Sequence, residues 1–220
     1  MNKGINKNTQ ANKDRAYINK LISQGEHQQL DFKFEINDSR KIARTLVAFA
    51  NTDGGKILIG VKDNGAIAGV RSEEEFYMVQ AAADLYCKPL VDFDVRKWVV
   101  DGKTVLEITI NKSHELCYSK SENDKWLVYV RVSDQNILAN RVLYEVFKRK
   151  NKQQGTFIEY SKNENILLNY LSVNNEITTS KLCRIAQTSR FEAEKTLINL
   201  ISLDILKIQL TEKGATYRLV

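Results

Sequence analysis

IARTLVAFANTDGGKILIGVKDNGAIAGV, residues 42–70, reads in unbroken order as a helix, a glycine turn, a buried strand and a hairpin. The helix is expected over 39–50. At 3.6 residues per turn, Ile42, Leu46, Phe49 and Ala50 share one face, and Arg40, Lys41 and Arg44 point the other way. Asp38 or Ser39 supplies the cap, and residues 51–55 stop the helix, because Asn and Gly accept the left-handed conformation. The apolar run at 56–61 has strand length and is too continuous for a strand with one wet face. Asn64-Gly65 is a two-residue hairpin signal, with residues 67–70 as the return strand.

Toward the N-terminus, residues 1–13 are polar, read as unordered, and lack the apolar core of a signal peptide. Tyr17, Ile18, Leu21 and Ile22 have helical spacing. Leu30, Phe32, Phe34 and Ile36 alternate with Asp31, Lys33 and Glu35, the pattern of a half-buried strand with a polar face. Toward the C-terminus, Ser72 with Glu75 forms a capping box for a helix that Pro89 closes. Strands follow at 90–100 and 104–110, joined by Asp101-Gly102, and at 126–132. A helix then runs from Asn136 into a basic block. Strands and helices in mixed order give an α+β class. After a polar linker around Gly155 come three short helices, with caps at Thr178 or Thr179 and at Ser189, and a hairpin over 206–219. Three helices and a hairpin make a winged-helix pattern. The expected organisation is an unordered 1–13, a first domain at 14–147, a basic linker at 148–162 and a small winged-helix domain at 163–220.

The 220 residues are 43% hydrophobic and 27% charged, ordinary for a soluble globular protein. No apolar run has the length to cross a bilayer, and a cytoplasmic location is the default. Cys87, Cys117 and Cys183, with His27 and His114, show neither zinc-site spacing nor a disulfide framework. The net charge of +6 is unevenly placed: residues 1–147 carry +1, residues 148–159 carry +3 and residues 160–220 carry +2.

AFANTDGG at 48–55, ILIGVKDNG at 57–65 and AGV at 68–70 resemble the AlbA_2 domain shared with Schlafen proteins. GEHQQLDFKFE at 25–35 is similar to that family's opening segment, and YVRVSDQNILAN at 129–140 to its closing strand and helix. The resemblance covers residues 21–141 and implies a mixed sheet with helices that binds nucleic acid. Asp31 stands where the family has Glu, and SHELCYSK replaces a proline-rich approach to the closing strand. An ATPase reading fails, since the chain has no G-x-x-x-x-G-K-[ST] loop. Resemblance to the nuclease members implies a three-acid site of Glu26, Asp31 and Asp63 for Mg²⁺ or Mn²⁺. Against it, Asp63 belongs to a KDNG turn where Asp is at home, and Asp31 has Lys33 as a ready partner.

The candidate nucleic-acid contacts are Arg40, Lys41 and Arg44 on the helix and Lys33 on its strand's polar face. Arg131 interrupts an apolar strand and must find a partner or face a groove. Lys148, Arg149, Lys150 and Lys152 form the basic block. In the winged helix, Arg190 and Lys195 lie on the groove-reading helix, offset by Glu192 and Glu194, and Lys213 lies in the wing. The expected function is nucleic-acid binding, to DNA, in a regulatory role. The protein is expected to be a homodimer through Leu203, Ile205 and Val220, with no cofactor. One alternative is a metal-dependent ribonuclease using Glu26, Asp31 and Asp63. Another is a non-catalytic interaction module whose winged helix only dimerises.

Overall fold

The computed structural model describes residues 4–150, 161–211 and 214–220, with side chains from residue 11 onward. It separates into two compact units, Met1–Leu138 and Ala139–Val220.

The first unit contains, in order, α1 (Gly4–Ile22), β1 (Leu30–Lys33), α2 (Ser39–Ala50), β2 (Gly55–Ile59), α3 (Glu74–Tyr86) and β3 (Cys87–Lys88). There follow β4 (Phe93–Val100), β5 (Lys103–Ile110), β6 (Tyr118–Lys120), β7 (Trp126–Leu127), β8 (Tyr129–Val132) and β9 (Gln135–Leu138). The main sheet has the order β1-β2-β5-β4, with β1 parallel to β2 and the other pairs antiparallel. One face packs Ile57, Ile59 and Ile108 against Leu46 and Phe49 of α2 and Val79 of α3. The other packs Leu58, Val105 and Phe32 against Ile18 of α1. Covered on both faces, β2 is an apolar run without alternation. Two smaller sheets, β3-β6-β7 and β8-β9, complete the unit.

Asp38 caps α2, its Oδ1 accepting from the backbone N–H of Arg40 at 2.9 Å and of Lys41 at 3.3 Å. Eight of the twelve residues of α2 are buried, so only its cationic side meets water. The turn after it needs glycine at 54, where φ is +68° and a Cβ would lie 2.7 Å from the Ile110 carbonyl oxygen. Asp101 and Gly102 both have positive φ, as a two-residue turn joining β4 to β5 requires.

Several expectations for the first unit change: residues 67–70, expected as a return strand, form only an isolated bridge from Ile67 to Val61. Residues 4–22 are helical where the sequence reads as unordered to residue 13. The polar side of β1 is not wet: Asp31 is only 3% exposed, because β8 and β9 bring Arg131 and Asn136 beside it. The helix expected from Asn136 is instead β9, which returns on β8 and places Asn136 opposite Arg131.

The second unit contains α4 (Arg141–Lys150), α5 (Lys162–Leu171), α6 (Thr179–Ala186), α7 (Arg190–Ser202), β10 (Leu206–Thr211) and β11 (Gly214–Leu219). Thr178 and Ser189 cap α6 and α7 through their hydroxyls. Val142 and Val146 of α4 join the core of Leu167, Leu197, Ile198 and Tyr217, so α4 packs with this unit rather than with the first. Ile177 exchanges two backbone hydrogen bonds with Tyr217 of β11, at 2.9 and 2.8 Å. Lys148, Arg149 and Lys150 are the last turn of α4 rather than linker. Lys152 and Lys213 lie outside the described residues. Among the described residues no helix is long and apolar enough to cross a membrane.

Candidate nucleic-acid interface

The buried side of the first unit is held by an ion pair. Arg131 Nη2 donates to Asp31 Oδ1 at 3.0 Å and to the Leu30 carbonyl at 3.3 Å, and Nη1 donates to Asn136 Oδ1 at 3.1 Å. The guanidinium lies over the Phe49 ring, 5.0 Å from its centroid. Lys33 Nζ approaches the second Asp31 oxygen at 2.5 Å. The Arg131 side chain is 1% exposed, so the groove-facing option does not apply: it has found its partners inside.

Glu26 and Asp31 do come together. Glu26 Oε1 accepts from the Phe32 N–H at 2.8 Å, capping the free edge of β1. Burial raises the Glu26 carboxyl above its ordinary value; the Phe32 N–H opposes this, and the neighbouring Asp31 charge adds to it. Asp63 stands apart from this environment. It is exposed, in a turn closed by Gly65 N–H to the Lys62 carbonyl at 2.8 Å. Among the described residues no group of three His, Cys, Asp or Glu side chains is arranged to hold a metal. Asp31, with one oxygen facing Arg131 and the other Lys33, is already charge-balanced. With Asp63 apart, the acids that remain together are two carboxylates, one of them already held by two cations.

The cations of α2 face outward. Arg40 lies over the Tyr86 ring at 5.1 Å, and Arg44 over Tyr129 at 5.9 Å. Lys41 between them is exposed. Arg44 also approaches Glu122 at 3.5 Å. In the second unit, Arg149 donates to Asn199 Oδ1 at 2.7 Å, Lys150 to Asp204 at 3.0 Å, and Lys148 sits over Tyr144. The exposed positions of α7 are Arg190, Phe191, Glu192 and Lys195. Arg190 is bound to Glu194 at 2.9 Å, so this stripe carries little net positive charge.

Two polar networks join residues far apart in the sequence. Glu107, fully buried on β5, accepts from Tyr17 OH at 3.0 Å, from Trp98 Nε1 at 2.6 Å and from Lys56. Asn51, at the end of α2, donates to the carbonyls of Cys117 and Tyr129 and accepts from the Cys117 N–H. The only hint in sequence is a lone acid inside an apolar strand, Glu107 in VLEITI. Burial pushes the Cys87 thiol up to about 12, which fits core filling rather than reactivity.

The family model described as "Schlafen, AlbA_2" matches residues 26–140. No curated protein matches the chain. Among solved structures, the DIP2311 protein from Corynebacterium diphtheriae is similar over 59% of this chain, at 22% identity and a TM-score of 0.42. The match spans 25% of that protein's chain. The N-terminal domain of a RecG-related protein from Nitrosomonas europaea, named for an ATP-dependent DNA helicase, is similar over 58% of this chain and 95% of its own. Its identity is 18% and its TM-score 0.38.

Proposed function

This chain belongs to the Schlafen AlbA_2 family, and from that premise we propose that it is a nucleic-acid-binding protein whose first unit grips the phosphate backbone. The observation that carries the reading is the solvent side of α2. Arg40, Lys41 and Arg44 stand there within two helical turns, and two of the guanidiniums rest on tyrosine rings. A guanidinium propped on an aromatic face loses less freedom on meeting a phosphate than one on a loose side chain. Such contacts fix position without reading sequence.

The finer reading is a DNA-binding regulator with a winged-helix second unit. The order α5, α6, α7, β10, β11 supports it, as does the pairing of Ile177 with Tyr217. The charge balance of α7 and the internal partners of Arg149 and Lys150 favour a small share of phosphate affinity for that unit. Leu203, Ile205 and Val220 are exposed and suit self-association into a homodimer. The engagement of Asp31 by Arg131 and Lys33 favours binding over cleavage, and no metal is needed. The test is to titrate the protein with duplex DNA and structured RNA across a salt series, with and without Mn²⁺. Salt-sensitive binding without strand scission is expected. Mn²⁺-dependent cleavage that disappears in Asp31→Asn would overturn the non-catalytic reading.

A further inference from the structure

We infer that the outer face of the β3-β6-β7 sheet is a stacking platform for unpaired bases, which makes single-stranded nucleic acid the preferred ligand. This rests on the nucleic-acid-binding reading above and names its ligand class. The strand register carries it. Cys87 pairs with Ser119 and Lys88 with Tyr118; Ser119 pairs with Leu127 and Lys120 with Trp126. Directly opposed residues in an antiparallel ladder share a face, and successive residues alternate faces. Cys87 and Ser119 are buried, so theirs is the inward face. Lys88, Tyr118, Lys120 and Trp126 therefore share the outward one, two cations interleaved with two aromatics. Trp126 is 41% exposed and Lys88 is exposed, while Tyr118 and Lys120 are half-buried.

Tyr118 and Trp126 are diagonal neighbours across the ladder, a spacing of roughly 7–8 Å that lets two rings take two bases of one strand. An aromatic face binds nucleic acid by stacking only where the base is unstacked from its neighbours, which a duplex does not offer. The lysines meet the phosphates between the bases. Lys120 is paired with Asp124 at 2.9 Å, a surface contact that a phosphate can replace. The α2 cations lie nearby: Arg40 sits over Tyr86, the residue before β3, and the Asp124 carboxyl is held below its ordinary value by Lys120 and then by the charge of Arg40.

The experiment uses the full chain, a labelled oligothymidylate, and a labelled duplex of the same length, followed by anisotropy and by tryptophan emission. The single strand should bind more tightly and quench the emission. Trp126→Ala should lower single-strand affinity about tenfold and leave duplex affinity in place. Trp126→Phe should keep most of the affinity while abolishing the quench. Tyr118→Ala should resemble Trp126→Ala. Unchanged single-strand affinity in Trp126→Ala, or a duplex bound as tightly as the single strand, would overturn the proposal. In that event the broader reading still stands if replacing Arg40, Lys41 and Arg44 by Ala weakens binding to both ligands. Absence of binding to either ligand would end both.

Discussion

Replacing Arg131 by Met asks whether this guanidinium holds the first unit together or waits for a phosphate. The substitution removes hydrogen bonds to Asp31, the Leu30 carbonyl and Asn136, and the contact with Phe49. Breaking one side of a buried ion pair costs about 3–5 kcal/mol. Lys33 remains 2.5 Å from Asp31 and limits the loss to the low end, about 3 kcal/mol. With a urea m-value of about 2 kcal/mol/M, the unfolding midpoint should fall by about 1.5 M. Trp98, packed on Tyr17 and bonded to Glu107, reports unfolding of this unit by fluorescence. Nucleic-acid affinity of the folded variant should stay within a factor of about two, since no phosphate contact is removed. Adding Asp31→Asn should recover part of the loss, because the two changes act on one interaction. A variant that unfolds at the wild-type urea concentration but binds nucleic acid poorly would refute the reasoning.

Burial works to raise the Glu107 carboxyl, but the hydrogen bond and charge of Lys56, with the Trp98 and Tyr17 donors, carry it below its ordinary value of 4.5. Its folded pKa being the lower one, its stabilisation is present above pH 4.5 and lost as pH falls through the folded value; thermal melts should show an acid limb that Glu107→Gln flattens. Glu26 has the opposite sign, raised by burial and then by Asp31, so ionising it at neutral pH costs stability. Glu26→Gln should therefore raise the melting midpoint at pH 7, with the gain vanishing below pH 4.5. For self-association, light scattering at micromolar concentration should give about twice 25.2 kDa, and Ile205→Glu should return the mass to that of one chain.

Local chemistry was legible in the sequence; long-range partnership was not. The Asp38 cap, the glycine turn after α2, the Asp101-Gly102 hairpin and the doubly buried β2 each follow from residues within a few positions of one another. Arg131 was legible as a problem, a charge in an apolar strand, but its solution lies 100 residues away at Asp31. The β8-β9 hairpin is not legible in the sequence because Ser133 adopts a positive φ, which Ser seldom does, and because Asn136 also suits a helix start. The pattern of α4 shows an apolar side at Val142 and Val146 but not which core receives it. Of the three candidate acids, the five-residue spacing of Glu26 and Asp31 brings them together across a strand edge. Asp63 follows its turn chemistry instead. The outward row of Lys88, Tyr118, Lys120 and Trp126 depends on pairing between strands of two and three residues, too short to show a period.

The proposal that α2 grips phosphate is tested most directly by the salt dependence of binding. Anisotropy titrations of labelled DNA across a salt series should give a linear fall of log affinity with log salt for the wild-type chain. In Arg40→Ala/Lys41→Ala/Arg44→Ala the slope should shrink by about three on a duplex and about two on a single strand, one released counterion for each lost phosphate contact. A triple variant that keeps the wild-type slope and affinity would contradict the account.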